Sequence, residues 1–374
     1  MKKIFTLAAT ALCAMGINAQ GYQYVLTDAD EALTQELINT VAENAGGTSA
    51  EIVIPGSKGS IEVYGTSDSG EKTGVKIPNG ISMTIKGQGE KPTLKFPKSF
   101  NLEGTHDFIR FENVNIEDAG CQYFINQSAE ANVGELALTS IEINGMERSL
   151  IRTQGSNVIQ INNIVVDNCI LTNMSSANGY SVFYFGTADT KISKLDIKNS
   201  TFNGSQRSFI EASKAPVTNG VTISDCTFYN NVESGRYFMD ANGQETNLTM
   251  TNVILGKTHA TDDKAKGIRT AGAMTFTNCL RATDCIYASN NIAELPAEEN
   301  LNSADIFQNP ENGDFSLKID SKIGDPRWYG STGINNAVVE KTAADAPAYN
   351  LAGQKVNNSF KGIVVKNGKK VVVK

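Results

Sequence analysis

IRFEN (109–113), LALTS (136–140), IVVDN (164–168), LDIKN (195–199), VTISD (221–225), LTMTN (248–252) and MTFTN (274–278) are seven versions of one phrase. Each reads hydrophobic, any residue, hydrophobic, any residue, then Asn, Asp or Ser. A looser copy, MTIKG (83–87), precedes them. The second hydrophobic residue of each copy serves as an anchor: Ile85, Phe111, Leu138, Val166, Ile197, Ile223, Met250 and Phe276, set 26 to 31 residues apart. A period of this size marks a solenoid, whose units bury their apolar faces only by stacking on neighbours. Alternation with period two puts the hydrophobic residues on one face of a strand. The polar residue that closes each phrase tolerates left-handed backbone and suits a sharp bend.

Beyond the bend the alternation resumes, as in Ile141/Ile143 and Cys226/Phe228. A third strand is expected twelve to eighteen residues after most anchors: YFIN (123–126), SLIR (149–152), FYFG (183–186), SFIE (208–211), YFMD (237–240) and GIR (267–269). Three short strands per unit make one coil of a parallel β-helix, and the richness in Val, Ile, Thr, Phe and Asn opposes a helical repeat. The expected fold is therefore all-β: a right-handed parallel β-helix of about eight coils over residues 51–290, with an asparagine ladder along its corner. An N-terminal cap (20–50) is expected to hold an amphipathic helix over 28–47, with Asp28 as N-cap and Gly46-Gly47 as stop. Residues 291–330 should close the other end. A linker (331–348) and a small β segment (349–374), with a hairpin turn at Asn367-Gly368, complete the chain.

Residues 1–19 read as a secretory signal peptide, with Lys2 and Lys3 before an apolar stretch and Ala19 before Gln20. No other stretch is long enough to span a membrane, so the protein is expected to be secreted or displayed at the cell surface. The formal charge is −7, and loss of Lys2 and Lys3 would make it −9. An acidic chain without a basic stripe argues against nucleic acid as partner. Cys169, Cys226 and Cys279 share a column in every second coil, about 9.6 Å apart on the strand spacing, beyond disulfide reach.

The tail YNLAGQKV…KGIVVKNGKKVVVK and the leader ending NAQ resemble those of exported Bacteroidetes proteins, and the tail is similar to the end of the sorting domain read by type IX secretion machinery. That resemblance implies the machinery as a partner. The coils, with NPENGDFSLK (309–318) and GDPRW (324–328), resemble secreted β-helix proteins of the pectin-lyase-like superfamily, closest to members without assigned activity. The superfamily implies polysaccharide as the partner. Its active-site motifs are absent here: there is no WIDH, no RxPxxR and no DD…GHG. GDPRW is expected to close the cap, with Trp328 on the last coil. His106 and His259 are expected at the surface, in loops.

The third strand supplies the candidate site. Its final residues Asn126, Arg152, Gly186, Glu211, Asp240 and Arg269 are expected to stack coil on coil, lining a groove for an extended polysaccharide. Phe124, Leu150, Tyr184, Phe209 and Phe238, two residues earlier, are expected to point outward beside them; pointing inward, they would be core. Arg152, Glu211 and Asp240 are the catalytic candidates for a lyase or glycosidase. In a lyase, Arg152 or Arg269 would serve as base, and Glu211 with Asp240 would hold a Ca²⁺ against the substrate carboxylate. Two carboxylates one coil apart could instead form a glycosidase pair. Asn126, Phe209, Phe238 and Arg269 are the substrate-binding candidates. A glycan-binding module without catalysis and an adhesin-like structural protein are the alternatives.

Overall fold

The computed structural model describes residues 21–177, 179–262, 264–288, 300–330, 348–350, 354–356, 361–366 and 369–373. The leader (1–19) lies outside them, as does the linker apart from Ala348. Two compact units divide the chain, at Gly330 and Ser331.

The first unit is a parallel β-helix with three sheets of ten, eleven and six strands, here called first, second and third. In the first sheet the anchors pair directly: Ile85 with Phe111, then Leu138, Val166, Ile197, Ile223, Met250 and Phe276. All are almost fully buried except Phe276, half-buried in the last strand. Two further rungs precede Ile85, because Tyr24 pairs with Ile52 and Ile52 with Ile85. The stack is thus longer than the phrases indicate, and ten strands at about 4.8 Å make a rod of about 43 Å. The second sheet stacks Ile116, Ile143, Leu171, Phe202, Phe228 and Leu255 in register. Phe202 and Phe228 lie ring on ring at 5.0 Å.

Every closing residue of the seven phrases adopts the left-handed conformation, with φ between 50° and 56° from Asn113 to Asn278. The ladder is only partly formed. Asn168 Nδ2 donates to Ser140 Oγ (2.8 Å), Asn252 to Asp225 Oδ1 (2.9 Å) and Asn278 to Asn252 Oδ1 (2.6 Å). Asn199 turns aside to Asp167 Oδ1 (2.8 Å), and Asn168 Oδ1 accepts a hydrogen bond from Arg327 Nη2 (2.8 Å) instead.

That arginine belongs to GDPRW, which does not lie over the last coil. The segment runs backwards along the corner across four coils. Gly324 N donates to Asn252 O, Asp325 N to Thr227 Oγ1, Thr201 Oγ1 to Asp325 Oδ2, and Arg327 Nη2 to Asn199 O and Asn168 Oδ1. Trp328 donates its indole proton to Thr201 Oγ1 at 2.7 Å and packs edge-on against Phe315. The expected position fails because the corner hydroxyls and orphan carbonyls, rather than the open end, offer the bonds this segment needs.

At the front, the helix is Gln35–Asn44, capped by Thr34, whose Oγ1 accepts from Leu37 N. It starts later than expected because Ala32, Leu33 and Thr34 pair as a strand with Glu62, Val63 and Tyr64. Asp28 is therefore not the cap. Ile38 and Val41 are fully buried against the first coils.

The cysteines at 121, 169, 226, 279 and 285 are free and buried. His106 is not at the surface: it is buried in the first sheet, its ring nitrogens on the carbonyls of Ile81 (2.6 Å) and Glu103 (3.0 Å). Among the described residues no helix is long and apolar enough to cross a membrane. The second unit is a four-stranded antiparallel sheet in which Lys366 pairs with Lys369; the expected Asn367-Gly368 turn lies outside the described residues.

Candidate functional site

The third sheet starts late, with Ile125–Gln127, and stacks six strands to Lys266–Arg269. Its inward column is Ile125, Ile151, Phe183, Ile210, Met239 and Ile268. One residue further on, the outward column is Asn126, Arg152, Tyr184, Glu211, Asp240 and Arg269, each half-buried. Five of the six expected polar residues therefore stack in register, and Tyr184 takes the place expected for Gly186. FYFG is shifted by two, since Phe183 and Phe185 pair with Ile151 and Thr153.

Of the side chains expected to point outward, Tyr184 does so and the other four are core. Phe124, Leu150, Phe209 and Phe238 are all fully buried. Phe209 packs on Phe202, Phe228 and Phe238 at 4.8 to 5.4 Å, so Phe209 and Phe238 cannot touch a ligand on this face. The chain bends as it enters the third strand, so two successive side chains point inward. The amides of Leu150 and Ile151 both donate to Val182 O, at 3.0 and 3.1 Å, the mark of that bend. Strict alternation does not hold through a corner.

The rings beside the column stand at the corner: Tyr123 and Tyr237 head the phrases YFIN and YFMD, whereas Tyr180 lies outside any phrase. Arg152 packs against both Tyr180 and Tyr123, its guanidinium carbon 4.4 and 4.9 Å from their centroids, and the two rings meet each other at 5.5 Å. It donates to Asn126 Oδ1 (3.0 Å) and Tyr180 OH (3.3 Å). Arg148 donates to Tyr123 OH at 2.7 Å. Tyr180 meets Tyr184 edge-on at 5.0 Å, and burial, followed by the Glu211 charge, raises the Tyr184 phenol above its usual range. Arg148 and Tyr180 occupy no fixed offset from the anchors; only the local density of Tyr and Arg signals them.

Farther along, Arg269 grips Asp240 with two parallel bonds, Nε to Oδ1 at 2.8 Å and Nη2 to Oδ2 at 2.7 Å, and its guanidinium lies 4.5 Å from the Tyr237 centroid. Glu211 Oε2 accepts from Ser181 Oγ at 3.0 Å. Burial, then the neighbouring Arg236, lowers the Arg207 guanidinium below its ordinary value. Five of the chain's eight arginines (148, 152, 207, 236 and 269) belong to this sheet and its corner.

This arrangement does not assemble the Ca²⁺ shell or the proton acceptor that the expected chemistry needs. Both Asp240 oxygens are taken by Arg269, so Glu211 and Asp240 do not offer Ca²⁺ the shell of six to eight oxygens it takes. Among the described residues no three His, Cys, Asp or Glu side chains converge as metal ligands. Arg152 is held by its stack and its bonds, and a guanidinium has donors but no acceptor with which to take a proton.

A family model described as a domain of unknown function (DUF5123) matches residues 221–328. That stretch holds the last three rungs of the first sheet and the whole of GDPRW. No curated protein and no solved structure matches the chain.

Proposed function

We propose that the protein is an exported glycan-binding β-helix that lays an extended, acid-bearing polysaccharide along the outer face of its third sheet. The observation that carries this reading is the outward column: one polar or aromatic residue per coil from Asn126 to Arg269, half-exposed and flanked by the half-exposed Tyr180 and Tyr237, with Tyr123 buried beneath. Rings offer faces to sugar C–H groups, and arginines offer forked donors to carboxylate or sulfate. Five of the acidic chain's eight arginines gather on this face, beside the carboxylates of Glu147, Glu211, Glu233 and Asp240. The apolar leader supports export, and the likeness to secreted β-helix proteins supports polysaccharide as the ligand. Binding without cleavage is the reading the Asp240–Arg269 pair favours.

Affinity electrophoresis through gels holding uronate-bearing, sulfated or neutral polysaccharide tests it. An acid-bearing gel should retard the wild type, and Arg152→Ala should weaken retention about tenfold or more, as loss of a charged hydrogen bond implies. Unchanged mobility of Arg152→Ala in a gel that retards the wild type would place the ligand on another face. Release of unsaturated products or new reducing ends would make the protein an enzyme instead. The Asp240–Arg269 pair also supports a purely structural use of the face, in which case Asp240→Asn lowers the Tm and no gel retards the wild type.

A further inference from the structure

We propose that the cleft between the last coils and the C-terminal cap is a second binding site, shaped for a single pyranose ring and independent of the third sheet. The cleft measures about 420 Å³, within the range of small-ligand sites. Its walls come from the corner after the second-sheet strand Ile254–Leu255, from the next coil at Asp284 and Ile286, and from the cap at Ser303, Pro310 and Glu311.

The two sides differ in chemistry. On one, Tyr229 OH and Lys257 Nζ both donate to Glu311 Oε1 at 2.7 Å. Lys257, followed by Tyr229, holds the Glu311 carboxyl below its usual range, so it is ionised and fixed at neutral pH. Both bonds fall on one oxygen, which leaves Oε2 to accept from a ligand, and the ammonium has two further protons to give. On the other side, Ile286 is 46% exposed, one of six large hydrophobic residues so exposed among those described. Ala260 and Pro310 add further apolar lining. Asp284 is held in place by Ser303, whose Oγ donates to Oδ1 at 2.8 Å.

A carboxylate and an ammonium sharing one cleft with exposed apolar side chains match a ring with vicinal hydroxyls along its edge and C–H groups on its face. A fatty chain would leave Lys257 and Glu311 unanswered. A phosphate-bearing ligand would meet the charges of Glu311 and Asp284.

Ligand-observed saturation-transfer NMR on the full chain tests the site, with methyl pyranosides of hexoses, N-acetylhexosamines and hexuronic acids as probes. At least one should show transfer. Ala304→Trp, which fills the cleft from an exposed position, should abolish it, and Glu311→Gln should weaken binding about tenfold. Arg152→Ala should leave it intact, which separates this site from the third sheet. If Ala304→Trp does not fold, Thr261→Trp fills the same space. No transfer to any probe, or transfer that survives the filling variant, overturns the proposal.

Discussion

Asn252 carries two duties in one side chain. Its backbone sits at φ 55°, and its amide both donates to Asp225 and accepts from Asn278. Left-handed backbone costs an ordinary residue about 1–2 kcal/mol, and a hydrogen bond contributes about 1 kcal/mol. Both bonds are lost in either variant, so Asn252→Ala should lower the unfolding free energy by about 3–4 kcal/mol, and Asn252→Gly, which keeps the backbone, by about 2 kcal/mol. Equal losses in urea titrations would mean that the ladder alone holds the corner. The cysteines offer a second residue-level test. Burial pushes the Cys169 and Cys285 thiols up to about 12, and Cys226 well above its ordinary value. Iodoacetamide at pH 8 should leave the five described cysteines unlabelled in the native protein and modify them in denaturant. Labelling of Cys169 or Cys226 without unfolding would show that the interior opens.

The segment Gly324–Trp328 is the element on which the later coils depend. Parallel rungs are joined by backbone bonds between neighbours, whereas this strap reaches from Asn252 back to Asn168. Arg327→Ala removes bonds to three partners and should destabilise the solenoid by about 1–3 kcal/mol. The strap also has a pH signature. Asp325 is almost fully buried, and that burial raises its carboxyl, against the opposing pull of Thr201 and Arg327. A carboxyl raised on folding contributes stability that is present below its unfolded value, near pH 4, and is lost as pH rises through the folded value. Relative to Asp325→Asn, the wild type should gain Tm as pH falls from 7 toward 3. A relative loss on acidification would show that the Arg327 ion pair, rather than desolvation, sets this carboxyl.

At the scale of the whole molecule, the repeat was readable because each anchor, from Ile85 to Met250, has a single environment, the inside of a straight strand. The corners were not. Phe209 and Phe238 point inward because the chain turns beside them, and Tyr184 joins the polar column because its coil is shifted by two residues. The strap was beyond reach for a different reason: its partners, Asn168 and Thr201, lie more than a hundred residues away. Of the site, the polar column was legible and its aromatic setting was not. The same geometry orders the stability of the rod. A solenoid is held by nearest neighbours, so its ends should open first. The strap joins the coils from Asn168 to Asn252 but stops short of the last rung, where Met274 and Phe276 are only half-buried. Hydrogen exchange read by mass spectrometry should find the amides of Met274–Thr277 among the faster of the first sheet. Those of Val221–Ser224 and Ile159–Asp167 should exchange far more slowly. Arg327→Ala should raise exchange across the strapped coils and leave Met274–Thr277 as it was. Protection of the last rung equal to that of Ile159–Asp167 would mean that the cap, and not the strap, holds this end of the rod.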